Sequence, residues 1–530
     1  MAPRHAPGLA RTSAPMSRLR VSSPALLLTL ALAACQTTGA SVTPAPAPEP
    51  VTPTPAPAPA PPPDARVLLR QFIDSLVEVP EFRSANWGLL VVDPVRGDTL
   101  YARNADKLFM PASNMKLLTG STALTQLGPD FRWATTLFAR GRVRNGTLVG
   151  DLVVSGNGDP SVSDHMHPDS ALVPLRALAD SLRARGITRI RGRVVAAPSP
   201  FTDAPLGFGW AWDDLDAPYS AGVDALYFNE GFTQVVVYGG ARPGAKVRAV
   251  TRPASTYPKL IVQATTVAAL DPADTVSAKP AIIIGQDSSH AGVLVSGTIA
   301  AGDSAVLEIA FRDQKAAYVA ALTEALRAGG ITVSGSRTDT TATLDSLLTQ
   351  FSPPLRDVFP FFEKPSQNQI GEILFKTLAL VKTGVGTADS ARRVVSDQLL
   401  AWGAAPDGFA VRDGSGLSRH DYVTPRTLIH VLDAMRQSPD FRVFYDALPI
   451  AGVDGTIRGR MKGTPAEGNV HAKTGTLDKA RSLSGYVTTA DGRMLLFSAL
   501  CNNYLVPTRR VDQVSDALAV RLATLRLDAR

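Results

Sequence analysis

The sequence predicts a mixed α/β (α+β) fold, in which an antiparallel sheet is flanked by helices and interrupted by a large β-rich insertion. Three observations lead there. Apolar residues recur at helical spacing at 66–78, 367–381, 390–402, 425–436 and 508–526. Three strand-like runs, 469–477, 483–489 and 494–501, stand together near the carboxyl end, with Asp491-Gly492 turning the last two. Between these regions, from about 140 to 350, short Val/Ile-rich runs alternate with turn signals. Helices and strands from both ends are therefore expected to meet in one domain formed by 65–139 and 352–530. Residues 140–351 are expected to form an insert of one or two domains.

The amino terminus reads as an address. Within residues 1–35, Arg18 and Arg20 precede a short apolar stretch from Pro24 to Ala34, too short to remain as a spanning helix. It ends in Leu32-Ala33-Ala34-Cys35, which resembles a lipobox whose cysteine is acylated and becomes the first mature residue. Residues 16–35 already form a complete short signal, so Met16 is an alternative start. Gln36 rather than Asp follows the cysteine, which favours the outer over the inner membrane as destination. Residues 36–64 read as a disordered linker. Eleven prolines between 44 and 63 favour extended polyproline II, at ~3 Å per residue.

The folded part begins near residue 65. A helix is expected over 66–78, with Leu68, Leu69, Phe72, Ile73 and Leu76 on one face. Strands are expected at 87–92 and 98–101, then a helix from about Pro111 to Leu127 with Gly128 just past its end. In the insert, Asn145-Gly146 signals a hairpin, 189–195 reads as one strand, and two helices are expected at about 170–185 and 314–328.

Composition excludes several classes. With 45% hydrophobic and 19% charged residues, the 530-residue chain can bury sizeable cores and is not mainly disordered. No apolar run reaches the ~18–20 residues of a membrane-spanning helix. The net charge of +7 includes Arg4, Arg11, Arg18 and Arg20; without them 50 bases face 47 acids, so nothing points to nucleic acid. Two cysteines, Cys35 and Cys501, provide no disulfide framework.

Three short motifs carry chemistry. In Ser113-Asn114-Met115-Lys116 the serine and lysine lie on one helix face, and of twelve lysines only Lys116 has a serine three residues before it. Serine becomes a nucleophile when a base takes its proton. Lysine can be that base if its pKa falls towards 7, a shift costing roughly 4–5 kcal/mol that burial and a neighbouring cation can supply. Ser366-Gln367-Asn368 places a hydroxyl and an amide at a helix edge after Pro365. Lys473-Thr474-Gly475 lies in a strand-like run. There Lys473 and Thr474 suit an anion, and Gly475 allows close approach of a substrate backbone. Each motif has look-alikes: Ser84-Ala85-Asn86, Ser155-Gly156-Asn157, and Lys382-Thr383-Gly384, the last reading as a helix stop.

The ordered set resembles the penicillin-recognising serine acyltransferases. Asp413-Gly414-Ser415-Gly416-Leu417-Ser418-Arg419, Gly452-Val453-Asp454-Gly455-Thr456 and the turn Gly156–Pro160 narrow the resemblance. They are similar to segments of the low-molecular-mass class C penicillin-binding proteins, the D-alanyl-D-alanine carboxypeptidase/endopeptidases, which also carry a long insert between the first two motifs. The resemblance implies a transpeptidase-like catalytic domain and an acyl-enzyme on Ser113, with Lys116 as base. Ser366 and Lys473 would pass a proton to the leaving amine, and Asn368 would donate to a substrate carbonyl. Backbone N–H groups of Ser113 and Thr476 would form the oxyanion hole.

The implied substrate is a peptidoglycan stem ending in D-Ala-D-Ala, or a D-Ala–diaminopimelate crosslink, with β-lactams as inhibitors. Lys473, Thr474 and Arg419 would engage its carboxylate. Asp213 or Asp214 would reach a substrate amine, and Asp478 stands where relatives often have an amide. No cofactor or metal is implied. The expected location is the periplasm, on a lipid anchor at Cys35.

Rival readings are a β-lactamase or esterase on the same core, and a non-catalytic wall-binding lipoprotein. A metal hydrolase would have to use Asp164, His165, His167 and Asp169, whose spacing suits a flexible loop. No Gly-x-Ser-x-Gly elbow is present.

Overall fold

The computed structural model describes residues 64–527, apart from 169, 270–278, 288–291 and 337–342. The export signal over 1–35, Cys35, the linker up to residue 63 and Asp169 lie outside the described residues.

Both ends of the chain build one five-stranded antiparallel sheet. Its order is His471–Leu477, Ala480–Thr488, Met494–Asn502, Asn86–Asp93, Asp98–Arg103. Successive side chains on a strand point to opposite faces. Leu89 and Val91 accordingly join one core with Leu495, Phe497 and Ala499, whereas Leu90 joins the other with Leu496 and Leu500. The first core is closed by the helices Ala65–Val77 and Thr508–Ala523, through Leu69, Ile73, Val77, Val514 and Leu518. The second is closed by Met115–Leu127, Asn368–Thr383 and Pro425–Gln437, through Leu117, Leu118, Ile370, Leu374, Leu428 and Leu432. Met115–Leu127 is buried on all sides from Met115 to Leu124, as expected of a helix in the middle layer of a packed domain.

Between these parts, strand Ala134–Arg144 turns at Asn145-Gly146, both with positive φ, into Thr147–Gly156. Strand Ala134–Arg144 also pairs with Leu344–Phe351, so the chain leaves and returns on adjacent strands. Helices Val173–Ala184 and Gln314–Ala328 cover this sheet. A further core of Val235, Val237, Val293, Val295 and Ile309 joins a three-stranded and a four-stranded sheet.

Several local readings need correction. The expected strand over 189–195 is two short strands, Arg189–Ile190 and Val194–Ala196, parted at Gly192. A Cβ at Gly192 would lie 2.3 Å from the Gly150 carbonyl oxygen. Helix Leu355–Glu363 is absent from the sequence reading, and it carries Pro360, which lacks a backbone donor, in its interior. Its fully buried face of Leu355, Val358, Phe359 and Phe362 offsets the lost backbone bond. Among the described residues, no helix is long and apolar enough to cross a membrane.

Candidate active site

Ser113 sits in a 3-10 turn, Ala112–Asn114, that runs directly into helix Met115–Leu127. Ala112 has φ +48°, a conformation non-glycine residues rarely hold without surrounding constraint. The constraint is visible: a Cβ on Gly416 would fall 1.8 Å from the Ala112 carbonyl oxygen, so the 413–418 loop presses on the turn.

One helical turn on, Lys116 is fully buried. Its Nζ lies 2.9 Å from Ser113 Oγ, 2.6 Å from Asn368 Oδ1 and 2.7 Å from the Ser415 carbonyl oxygen. The last two atoms only accept hydrogen bonds. A neutral amine therefore donates its two protons to them and turns its lone pair to the Ser113 hydroxyl. Burial, and then the positive charge of Lys473, push Lys116 down to about 7; Glu363, Asp413 and Glu372 oppose the shift.

The second motif arrives on the edge of helix Asn368–Thr383. Ser366 has φ +66° and its N–H donates to the Glu363 carbonyl at 3.2 Å. Asn368 Nδ2 donates to the Tyr219 carbonyl at 2.8 Å, which fixes the amide with its oxygen towards Lys116.

The third motif lies on the edge strand His471–Leu477. Lys473 is fully buried, and its Nζ donates to Ser366 Oγ at 2.7 Å and to the Thr474 carbonyl at 3.2 Å. Burial lowers its pKa while Glu363 supports the charged form. Asn114 Nδ2 donates to the Lys473 carbonyl at 2.8 Å, tying the strand to the serine turn. Thr474 Oγ1 meets Thr456 Oγ1 at 2.7 Å, so the 452–456 segment backs the strand.

Gly475 has a different reason from the one expected. A Cβ there would lie 2.1 Å from Ser482 Oγ, 2.4 Å from the Pro111 carbonyl oxygen and 3.0 Å from the Ser113 nitrogen. The backbone that approaches closely is the protein's own Pro111–Ser113 turn.

Ser113, Ser366, Asn368 and Thr474 line a cleft of about 700 Å³ that also takes in Asp213, Asp214, Tyr219, Arg419, Thr476 and Asp478, while Lys116 and Lys473 lie buried behind its wall. Arg419 is exposed and donates to the Asp478 carbonyl at 3.3 Å. Asp214 reaches the cleft, with its carboxylate accepting from Tyr219 Oη at 2.5 Å. The look-alikes stand elsewhere: Gly384 caps a helix with φ +75°, and Asn157 Oδ1 accepts from the Ala134 N–H at 2.7 Å. His165 Nδ1 faces Glu230 at 3.3 Å. Among the described residues, no group of three or more His, Cys, Asp or Glu is placed to hold a metal ion.

Sequence reasoning missed the supports. Asp413 Oδ1 accepts from Gly416 at 2.7 Å and its Oδ2 from Ser418 at 2.7 Å and Trp210 Nε1 at 2.9 Å. Glu372 Oε1 accepts from Gly414 at 3.0 Å and Ser415 at 2.8 Å, which aims the Ser415 carbonyl at Lys116. The available signal was an acid among Ile370, Ile373 and Leu374, four residues past Asn368.

The comparisons point one way. The family model described as "D-Ala-D-Ala carboxypeptidase 3 (S13) family" matches residues 69–525. A D-alanyl-D-alanine carboxypeptidase of Actinomadura sp. (strain R39) is 33% identical over 472 residues, covering 86% of this chain and 84% of the relative. D-alanyl-D-alanine carboxypeptidase DacB of Haemophilus influenzae is 27% identical over 442 residues, 81% of this chain and 88% of the relative. The crystal structure of penicillin binding protein 4 (dacB) from Haemophilus influenzae superposes with a TM-score of 0.71 at 26% identity, covering 85% of this chain and 99% of that one. A second crystal structure of that protein, complexed with a β-lactam, gives 0.65 at 25% identity, with 84% and 97% covered.

Proposed function

The chain belongs to the D-Ala-D-Ala carboxypeptidase 3 (S13) family, and from that premise we propose that it is a penicillin-binding serine hydrolase. It removes the terminal D-alanine of peptidoglycan stem peptides through an ester on Ser113. The observation that carries this reading is the three-way setting of Lys116 Nζ, two obligate acceptors and one hydroxyl. Neutral Lys116 takes the Ser113 proton as Oγ bonds to the penultimate D-Ala carbonyl carbon. The developing oxyanion lies towards the N–H groups of Ser113 and Thr476, a type of stabilisation worth ~3–4 kcal/mol. The peptide C–N bond then breaks, and Lys473 protonates the leaving amine through Ser366 Oγ, 2.7 Å away. Once the proton gained by Lys116 has passed back to Lys473, neutral Lys116 takes a proton from the water that attacks the ester carbonyl and returns it to Ser113 Oγ as the ester C–O bond breaks, releasing the shortened peptide.

Thr474 and Arg419 line the cleft where the terminal carboxylate sits, and Asp213 or Asp214 faces the amine of a diaminopimelate side chain. That pairing makes a D-Ala–diaminopimelate crosslink a second substrate. Residues 1–35 act as an export signal, Cys35 carries the lipid that anchors the protein on the periplasmic side of a bacterial membrane, the outer one favoured by Gln36, and the proline-rich linker spaces the enzyme from it. Residues 140–351 form the insert that supplies the Asp213–Tyr219 wall of the cleft.

Incubation with purified muropeptides tests this. Mass analysis should show loss of one D-alanine, or crosslink cleavage, with wild type and neither with Ser113→Ala. Unchanged muropeptides with wild type would refute the reading. Metabolic labelling with palmitate tests the anchor: label should enter wild type and be lost in Cys35→Ala.

A further inference from the structure

One buried acid near the cleft has no part in the steps above. Glu363 ends helix Leu355–Glu363 and is fully buried. Neither of its carboxyl oxygens has a protein hydrogen-bond partner. It is wedged against the nucleophile helix: a Cβ on Gly120, one turn past Lys116, would come within 2.9 Å of Glu363 Oε1. Phe359 and Phe362 crowd the same spot. Its backbone carbonyl meanwhile holds the N–H of Ser366 at 3.2 Å.

A carboxylate in such a place is costly unless opposite charges face it. Two do, each from another element. Burial raises the Glu363 pKa to about 7, and Lys473 and then Lys116 oppose the rise without cancelling it, favouring the charged form. Glu363 is the charge that sustains protonated Lys473 against burial, and it also opposes the Lys473 effect at Lys116. Asp413 and Glu372 act on Lys116 as well. The neighbouring Lys364 is engaged elsewhere, donating to Asp454 Oδ2 at 2.6 Å and to the Leu448 carbonyl at 3.1 Å.

We propose that Glu363 is a positioning residue for the reaction: an anionic carboxylate that holds Lys473 protonated while Lys116 stays neutral and ready to take the Ser113 proton. It touches neither substrate nor reacting atoms. With Glu363 anionic, Lys473 cationic and Lys116 neutral, the buried trio carries no net charge. Without Glu363, the core holds an ammonium with no counter-charge. The inference rests on the roles given above to Lys116 and Lys473.

The test is the rate of acylation by a fluorescent penicillin against pH, in wild type, Glu363→Gln and Glu363→Met. Removing the negative charge eases deprotonation of both lysines. Both limbs of the bell should therefore move to lower pH by about one unit or more, and Glu363→Asp should restore them. A lower plateau with unmoved limbs would make Glu363 purely structural and overturn the inference. Should the single variants prove too unstable to assay, thermal unfolding decides. Glu363→Met placed on Lys473→Met should restore stability lost in the latter, whereas additive losses would overturn the coupling. A wild type that is not acylated at all would remove the acyl-enzyme reading itself, while superposed profiles remove only this inference.

Discussion

Asn368 donates through Nδ2 to the Tyr219 carbonyl at 2.8 Å, and that bond decides what the other end of the amide offers Lys116. With the NH₂ end engaged, Oδ1 accepts from Lys116 Nζ at 2.6 Å. Gln369 Nε2 reinforces the junction by donating to the Pro218 and Ala221 carbonyls at 3.1 and 3.2 Å. A segment 149 residues upstream thus fixes an acceptor for Lys116.

Asn368→Asp should therefore be more harmful than its size suggests. A carboxylate cannot donate to Tyr219, and its charge beside Lys116 stabilises the ammonium form. Acylation at pH 7 should fall by about 100-fold, and the acidic limb of the rate profile should move to higher pH. Asn368→Ala should lose rate without that upward movement. Stopped-flow acylation with a chromogenic β-lactam across pH distinguishes the two.

Lys116 also leaves a mark on stability. Its pKa is about 7 in the fold against the ordinary 10.5. Between these values the unfolded chain binds one more proton here than the native one, so this site makes the unfolding free energy rise with pH. From pH 7 to pH 9 wild type should gain about 2–3 kcal/mol relative to Lys116→Met. Urea unfolding of both proteins at the two pH values measures it, and parallel pH dependences would contradict the neutral amine.

Gly475→Ala should strongly slow acylation while wild-type contacts elsewhere persist. The added Cβ meets the Pro111 carbonyl oxygen at 2.4 Å, which is backbone and cannot swing aside. Combining it with Ser482→Ala removes the 2.1 Å conflict with Ser482 Oγ but leaves the one with Pro111. Rate loss of about 100-fold or more in both single and double variants is expected for a displaced nucleophile.

Arg419→Ala should act on binding rather than on activation of the serine. Its guanidinium is exposed in the cleft and 3.3 Å from the Asp478 carbonyl, far from saturated with donors used. Hydrolysis of a D-Ala-D-Ala peptide should weaken about tenfold, mainly in KM, with less effect on an analogue whose terminal carboxylate is amidated. Steady-state kinetics with the two peptides checks this.

What could be read from the sequence was local. Ser113 and Lys116 sit three apart where a 3-10 turn enters a helix, Asn368 opens another helix, and Lys473 stands in a strand-like run, so the elements and their chemistry are visible in short windows. What could not be read depends on partners far along the chain. Glu363 ends a helix absent from the sequence reading, and the full burial of Glu363 and Glu372 follows only once the three motif elements pack around them. Gly475 looks like a substrate-facing glycine until the 111–113 turn is laid against it. The short strands near Gly192 follow from the approach of Gly150, which no local pattern announces.

The hydroxyl of Ser113 is the atom proposed to be acylated, and intact-mass analysis after brief exposure to penicillin tests it most directly. Wild type should gain the mass of one penicillin per chain, with the adduct mapped to the peptide containing Ser113, and Ser113→Ala should gain none. An equal adduct on Ser113→Ala, or one mapped to another serine, would contradict it.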